Sequence, residues 1–182
     1  MNFQELIVAR QSVRRYSDRL VEPEKIKQCL EAARLAPSAS NSQPWSFVVV
    51  DQEPLRTRVA EATFSDIKLI NKFVLQAPVI VVIVMEKAKL ITRLAMLVKK
   101  KEWPLIDIGI TAEHFCLQAT ELGLGTCMIG WFEEEKIKKL LNIPSGKSIG
   151  LCITLGYAVE GYTLRTKIRK PFVELVKYNT YE

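Results

Sequence analysis

A layered α/β or α+β domain is the fold class this sequence predicts, and three observations predict it. Trp45-Ser46-Phe47-Val48-Val49-Val50 and the run from Ala77 to Met85 are rich in β-branched and aromatic residues and read as strands. The second is apolar on both faces, as a covered central strand would be. Helical periodicity surrounds them, most clearly in Leu105 to Leu122, where Ile108, Ala112, Phe115, Ala119 and Leu122 recur at helical spacing. With 182 residues, 48% of them apolar, the chain can bury one sizeable core, so residues 1–182 read as a single domain. Helices alternating with buried strands must stack in layers to bury their apolar faces.

Taken in order, Asn2 to Ala9 is an amphipathic helical segment that leads into Arg10-Gln11-Ser12-Val13-Arg14-Arg15-Tyr16 and then an extended turn. Glu22-Pro23-Glu24 opens a second helix, because proline is tolerated in a first turn and acidic side chains complement its dipole. Ile26, Leu30, Ala33 and Ala36 mark its buried stripe. Residues 37–44, bounded by Pro37 and Pro44, hold no large apolar side chain and read as a structured loop of small donors and acceptors. Pro54 to Ala62 and Ile67 to Leu75 look helical, and Lys87 to Lys101 is an amphipathic segment with a basic end, either a lid or a surface helix. Pro104 breaks that pattern ahead of the long helix, which Gly123-Leu124-Gly125 ends. Thr126 to Gly130 and Ser148 to Tyr157 are further strands, the first stopping at a glycine where backbone can approach a ligand. Glu133 to Leu141 is a short charged helix, and Lys167, Arg169, Lys170 and Pro171 precede Phe172 to Val176.

A net charge of +6 and a pI near 9.2 suit a phosphate-bearing small molecule. Acidic residues are interleaved throughout and the only basic run is Lys99-Lys100-Lys101, so a nucleic-acid partner is not expected. Cys29, Cys116, Cys127 and Cys152 form no CxxC pair and read as free thiols of a reducing compartment, with no metal site. No apolar run approaches the length of a bilayer span, and neither a membrane partner nor a secretion signal is expected, which points to the cytoplasm. His114, alone on the long helix, reads as structural.

Within Arg10 to Tyr16, three guanidinium groups and a hydroxyl fall together and make an anion cradle, since a guanidinium presents a planar fork matched to phosphate oxygens. The competing reading is of arginines that favour a helix end or sit in water.

Five blocks then carry a resemblance: Arg10-x-Ser12-Val13-Arg14-x-Tyr16; Ala36-Pro37-Ser38-Ala39-x-Asn41-x-Gln43-Pro44-Trp45; Gly123-Leu124-Gly125-Thr126-Cys127-x-Ile129-Gly130; Leu155-Gly156-Tyr157; and Lys167-x-Arg169-Lys170-Pro171. In that order they resemble the FMN-dependent nitroreductase family across nearly the whole chain. The resemblance implies an α+β fold with a central mixed β-sheet flanked by helices, built as a homodimer with FMN at the subunit interface. It implies that Arg10, Ser12, Lys167 and Arg169, with Gln11 in the same block, hold the FMN phosphate, and that Arg14 lies near the pyrimidine edge of the flavin. Pro37, Ser38, Ala39 and Asn41 would reach the flavin from the partner subunit, and Ile129, Gly130 and Trp131 would run beside its N5 edge. Asn71 is the expected polar contact ahead of the second central strand, with Lys68 or Lys72 as competitors; Asp107 faces the ring or serves the dipole of its helix.

Those roles imply an oxidoreductase passing hydride from NADH or NADPH through flavin N5 to an electron-poor small-molecule acceptor, a nitroaromatic or a quinone. The cofactor carries the chemistry and no catalytic side chain is assigned. The alternatives are related flavin chemistry (flavin reduction, dehalogenation, enoate reduction) and a flavin-binding protein without turnover. Only residues 86–103 are available to cover the substrate, where many members of the family have a longer excursion.

Overall fold

The structure is a computed structural model that describes residues 1–64 and 70–181. Four strands, β1 (Trp45–Val50), β2 (Val79–Met85), β3 (Gly125–Ile129) and β4 (Ser148–Gly156), form one sheet in the order β1-β2-β4-β3. All three pairings are antiparallel, for example Val49 with Val81, Val81 with Ile153, and Thr154 with Cys127. The sheet is therefore antiparallel rather than mixed as expected; among the described residues the one parallel pairing is an isolated bridge between Ser12 and Thr126.

Both faces of the sheet are covered. β2 alternates strictly: Val79, Val81 and Ile83 pack toward α2 (Pro23–Arg34) and the long helix α5 (Trp103–Glu121), in a core with Cys29, Ala33, Ala112 and Phe115. Ile80, Val82 and Val84 point the other way, onto Val59 and Ala60 of α3 (Leu55–Glu61) and Ile137 of α6 (Glu134–Leu141). The unbroken apolar run at 77–85 is thus the strand covered on both sides. Thr111 Oγ1 donates to Ala33 O at 2.7 Å, and His114 Nδ1 lies 3.3 Å from Ala32 O, so His114 helps join α5 to the end of α2.

The helix α1 (Phe3–Ala9) begins with a reciprocal cap, Asn2 Oδ1 accepting from Glu5 N at 2.9 Å and Glu5 Oε2 accepting from Asn2 N at 3.0 Å. Beyond it the chain runs extended across the sheet margin. Val13 N donates to Thr126 O at 2.8 Å and Ser17 N to Tyr157 O at 2.9 Å. Val13 and Tyr16 turn inward, whereas Arg14 and Arg15 stay outside. Tyr16 Oη donates to Val13 O at 3.0 Å and lies 2.7 Å from Thr154 Oγ1; burial raises its pKa, so it stays a protonated donor.

The Lys87 to Lys101 segment is a helix, α4 (Leu90–Lys99), and the tail holds the single turn α7 (Phe172–Leu175). Of the helix expected at Ile67 to Leu75, residues 65–69, with Lys68, lie outside the described residues; Lys72–Gln76 is a 3-10 turn rather than an α-helix.

Candidate flavin phosphate site

The N-terminal and C-terminal motifs meet in space. Arg10, Gln11 and Ser12 line a cleft of about 410 Å³ together with Arg165, Thr166, Lys167, Ile168 and Arg169. The extended segment after Tyr162 is tied down by several bonds. Gln11 Nε2 donates to Thr163 O at 3.2 Å, Arg165 N donates to Gln11 Oε1 at 3.1 Å, Arg165 Nη2 donates to Ser12 O at 2.6 Å, and Lys167 Nζ donates to Arg10 O at 2.5 Å. These are backbone and amide contacts, so they bring the cationic heads of Arg165 and Lys167 to the cleft without neutralising them.

The electrostatics show the consequence. Lys167 has its pKa pulled below the ordinary lysine value, first by desolvation and then by Arg10 and Arg169 beside it. The counter-charge is Glu113, whose Oε1 lies 3.2 Å from Arg10 Nε. That Nε is buried and makes no hydrogen bond. A cleft where Arg10, Arg165, Lys167 and Arg169 converge with Glu113 as a paired carboxylate keeps an excess of positive charge that a phosphate dianion would balance.

Two charged residues of this group, Arg165 and Glu113, escaped the sequence reading. Arg165 belongs to an alternating run, Arg165-x-Lys167-x-Arg169, and in an extended chain alternate side chains share a side, which is the signal that would have found it. Glu113 sits on a helix far along the chain, and no local pattern marks it.

A second group gathers near β3. Asn71 has a left-handed backbone (φ 70°), and its Nδ2 donates to Thr63 O at 3.0 Å and to Trp131 O at 3.3 Å. Asn71 is therefore brought to the Ile129-Gly130-Trp131 stretch, in which Ile129 is buried and Gly130 and Trp131 are exposed. Arg14 does not line the phosphate cleft. Tyr162 Oη accepts its backbone N–H at 3.1 Å, and its guanidinium carbon lies 5.9 Å from the centre of the Phe73 ring.

The third group is the loop between Pro37 and Pro44. Residues 37–44 curl into a short 3-10 turn with three non-glycine residues in the left-handed region, Ser40 (φ 52°), Asn41 (φ 50°) and Gln43 (φ 48°). Such backbone persists only where its surroundings hold it. Ser38 Oγ accepts from Gln43 N at 2.9 Å, Gln43 Nε2 donates to Asn41 Oδ1 at 2.9 Å, and the carboxylate of Asp107 accepts Ala39 N–H at 3.1 Å. Asp107 is buried near the start of α5 and its pKa is raised by desolvation, opposed by the Ala39 N–H. The structure thus gives Asp107 the task of anchoring this loop. Pro37, Ser38, Ala39 and Asn41 do not line the phosphate cleft of their own chain.

The glycines of the motifs are explained by close approach. A Cβ at Gly125 would fall 2.6 Å from Val13 Cγ2, and one at Gly156 would fall 2.6 Å from Pro78 Cδ and 2.9 Å from Tyr16 Cδ1. The Gly-Leu-Gly and Leu-Gly-Tyr blocks therefore let the Arg10 to Tyr16 strand lie against the sheet.

Residues 7–157 match the nitroreductase family. This chain belongs to that family. It is 28% identical over 180 residues to an NADH dehydrogenase of Thermus thermophilus, the match covering 84% of this chain and 85% of that one. Among solved structures it resembles a nitroreductase family protein of Clostridium novyi NT (30% identical, TM-score 0.75, covering 88% and 87% of the two chains). It also resembles an FMN-dependent nitroreductase of Clostridium difficile R20291 (28% identical, TM-score 0.78, covering 97% and 98%). The family match stops at Tyr157, so the 165–169 half of the cradle rests on its own geometry.

Proposed function

We propose that this nitroreductase family chain is a flavin-dependent oxidoreductase that binds FMN and takes electrons from NADH or NADPH. The observation that supports it most directly is the joining of Arg10, Gln11 and Ser12 with Arg165, Lys167 and Arg169 in one cleft. FMN fits that cleft because its phosphate ends the molecule and bears nearly two negative charges, whereas the bridging pyrophosphate of FAD would have to extend beyond it. When bound, FMN supplies the hydride chemistry, accepting from nicotinamide at N5 and passing electrons to a small electron-poor acceptor, which we take to be a nitroaromatic or a quinone.

The chain's own residues bind and tune. Arg10, Ser12, Lys167 and Arg169 hold the phosphate, with Gln11 and Arg165 fixing the two strands of the cradle to each other. Arg14, outside the cradle, stands at the ring edge that becomes negative on reduction, where a guanidinium favours the reduced state. Asn71 holds the Trp131 carbonyl, and with it the Ile129-Gly130-Trp131 backbone that orients the ring.

In the loop, Pro37 and Asn41 are exposed and Ser38 and Ala39 half-buried, and we take Pro37, Ser38, Ala39 and Asn41 to complete the flavin site of a second copy, in a homodimer of single-domain subunits. Exposed Ile168, Phe172 and Val173 of the tail supply apolar surface for that contact. Four buried free thiols suit a cytoplasmic location.

The test is direct. Purified protein should be yellow, release FMN and not FAD on denaturation, run as a dimer, and bleach anaerobically with NADH or NADPH. A protein that neither carries nor takes up FMN would end this reading, and one that holds FMN without bleaching would be a flavin-binding protein without turnover.

A further inference from the structure

In the extended stretch after α1, Arg10, Ser12 and Arg14 alternate, which gives their side chains a common side. Arg10 and Ser12 line the phosphate cleft, yet Arg14 does not. Its guanidinium carbon lies 5.9 Å from the centre of the Phe73 ring instead. That is within reach of a cation–π contact, in which a guanidinium is drawn to the negative face of an aromatic ring. Among the described residues no carboxylate pairs with Arg14. Tyr162 Oη fixes the backbone by accepting Arg14 N–H at 3.1 Å, which leaves the long side chain to be placed by the ring.

That ring is a fixed platform. Phe73 is half-buried and packs against Val13, Tyr16 and Ala77. Its 3-10 turn is held at both ends: Asn71 Nδ2 donates to Thr63 O and to Trp131 O, and Arg56 Nη1 donates to Leu75 O at 2.9 Å and to Ala77 O at 2.8 Å. Gln76 Oε1 accepts Tyr16 N–H at 3.3 Å, tying the same turn to the strand that carries Arg14. One short turn therefore bears on two groups, the 129–131 backbone through Asn71 and Arg14 through Phe73.

We propose that Phe73 is a positioning residue for Arg14, holding its guanidinium at the flavin edge so that the potential of bound FMN depends on Phe73 through Arg14. Arg14 is exposed, and an unrestrained arginine side chain samples many rotamers, most of which carry its charge away into water. A charge acts on the flavin less with distance and less through water, so narrowing that spread preserves the preference of Arg14 for the reduced state. Phe73 carries no charge and holds no proton, so any change it makes in the potential passes through its neighbours. This role exists only where FMN binds as proposed above.

Potentials measured by dye equilibration on the FMN-saturated full-length protein test it. Phe73→Leu should lower the potential in the same direction as Arg14→Met and by no more than that variant does, whereas Phe73→Tyr should keep it. Adding Phe73→Leu to Arg14→Met should move it no further. A role in packing alone predicts a lower Tm and a potential that ignores Phe73, and equal shifts with and without Arg14 mean that the ring acts by another route; both results overturn the proposal. Should Phe73→Leu fail to fold, trifluorophenylalanine at position 73 decides, since it keeps the ring's shape and drains its negative face: an unchanged potential overturns the proposal. In the flavin-free protein, the ring-current shift of the Arg14 δ protons should be lost in Phe73→Leu and kept in Phe73→Tyr, and its absence from the parent also overturns the proposal. A chain that takes up no FMN ends the FMN reading and this role with it, whereas one that takes up FMN with a potential blind to Phe73 overturns the positioning role alone.

Discussion

Arg10, at the end of α1, and Glu113, midway along α5, form an ion pair of 3.2 Å across the edge of the phosphate cradle. Both are partly exposed, so the pair itself contributes little to stability, within about 0.2–1 kcal/mol. Its position matters more. Glu113 is the carboxylate that balances Arg10 while Arg165, Lys167 and Arg169 crowd the same cleft, and a bound phosphate must share Arg10 with it. We expect Glu113→Gln to lower the stability of the flavin-free protein slightly and to tighten FMN binding by up to about fivefold. Titration calorimetry at low and high salt checks this, since the gain should fade as salt screens it. Weaker FMN binding in the variant would show instead that Glu113 holds Arg10 in its binding geometry.

The close contact of Gly125 with Val13 links sheet packing to the site. An added methyl at Gly125 meets a branched side chain and one at Gly156 meets a proline ring, neither of which can swing away. Each alanine variant should lose about 1–3 kcal/mol, and for a chain of this size each kcal/mol lowers Tm by roughly 2–4 °C. Because Val13 follows Ser12 directly, Gly125→Ala should also weaken FMN binding. Gly146→Ala is the control: nothing lies within 4 Å of its added Cβ, and its Tm should stay close to that of the parent. Thermal melts of the three variants with and without FMN decide.

Asp107 gives a pH prediction with a definite sign. Its pKa is raised in the folded state by burial, so the folded chain holds that proton more tightly than the unfolded chain does. The stabilising contribution is complete below the ordinary aspartate value of about 3.8 and is lost as pH rises through the folded pKa. At neutral pH the buried carboxylate therefore works against folding, while still accepting from Ala39 N. Asp107→Asn keeps an acceptor and removes the charge, so it should be more stable than the parent at pH 7, with the advantage shrinking toward pH 4. Asp107→Ala leaves the Ala39 N–H without its partner and should lose about 1–3 kcal/mol. Melting curves across that range test both; a destabilised Asp107→Asn at pH 7 would mean the charge itself holds the loop.

Much of this was legible in the sequence for identifiable reasons. The strand at Val79–Met85 announced its two covered faces by unbroken apolarity, and α5 announced its buried stripe by periodicity. The Arg10 to Tyr16 stretch and the basic tail were visible as charge, and their meeting was implied by family resemblance rather than by any local pattern. What stayed hidden depended on long-range partners. Glu113 acquires its role only because α5 runs beside the end of α1, and Asp107 because its helix start packs under Ala39. The strand pairing was set by connections that propensity does not encode, so the antiparallel order was not readable. At Lys72–Gln76, an extended Ala77 after a left-handed Asn71 leaves room for only a tight turn where helix was expected.

The separation of Arg14 from the cradle makes the sharpest mutational prediction. Arg169 lines the phosphate cleft, and the phosphate keeps its charge whether the flavin is oxidised or reduced. Removing Arg169 should weaken FMN binding by about 2 kcal/mol, roughly thirtyfold, less to the extent that Lys167 and Arg165 compensate, and should leave the reduction potential where it was. Arg14 lies outside that cleft, exposed, with its guanidinium near Phe73. At the ring edge we propose for it, its charge would interact with the reduced flavin more than with the oxidised one, so Arg14→Met should lower the potential. An exposed charge worth about 1 kcal/mol corresponds to about 20 mV for a two-electron couple, since 30 mV is about 1.4 kcal/mol. Arg14→Met should also change FMN affinity less than Arg169→Ala does, because affinity is measured with the oxidised ring. Dye-equilibrated potentials and FMN dissociation constants for the two variants form a two-by-two comparison. If Arg169→Ala moves the potential and Arg14→Met does not, the two arginines have been given each other's roles.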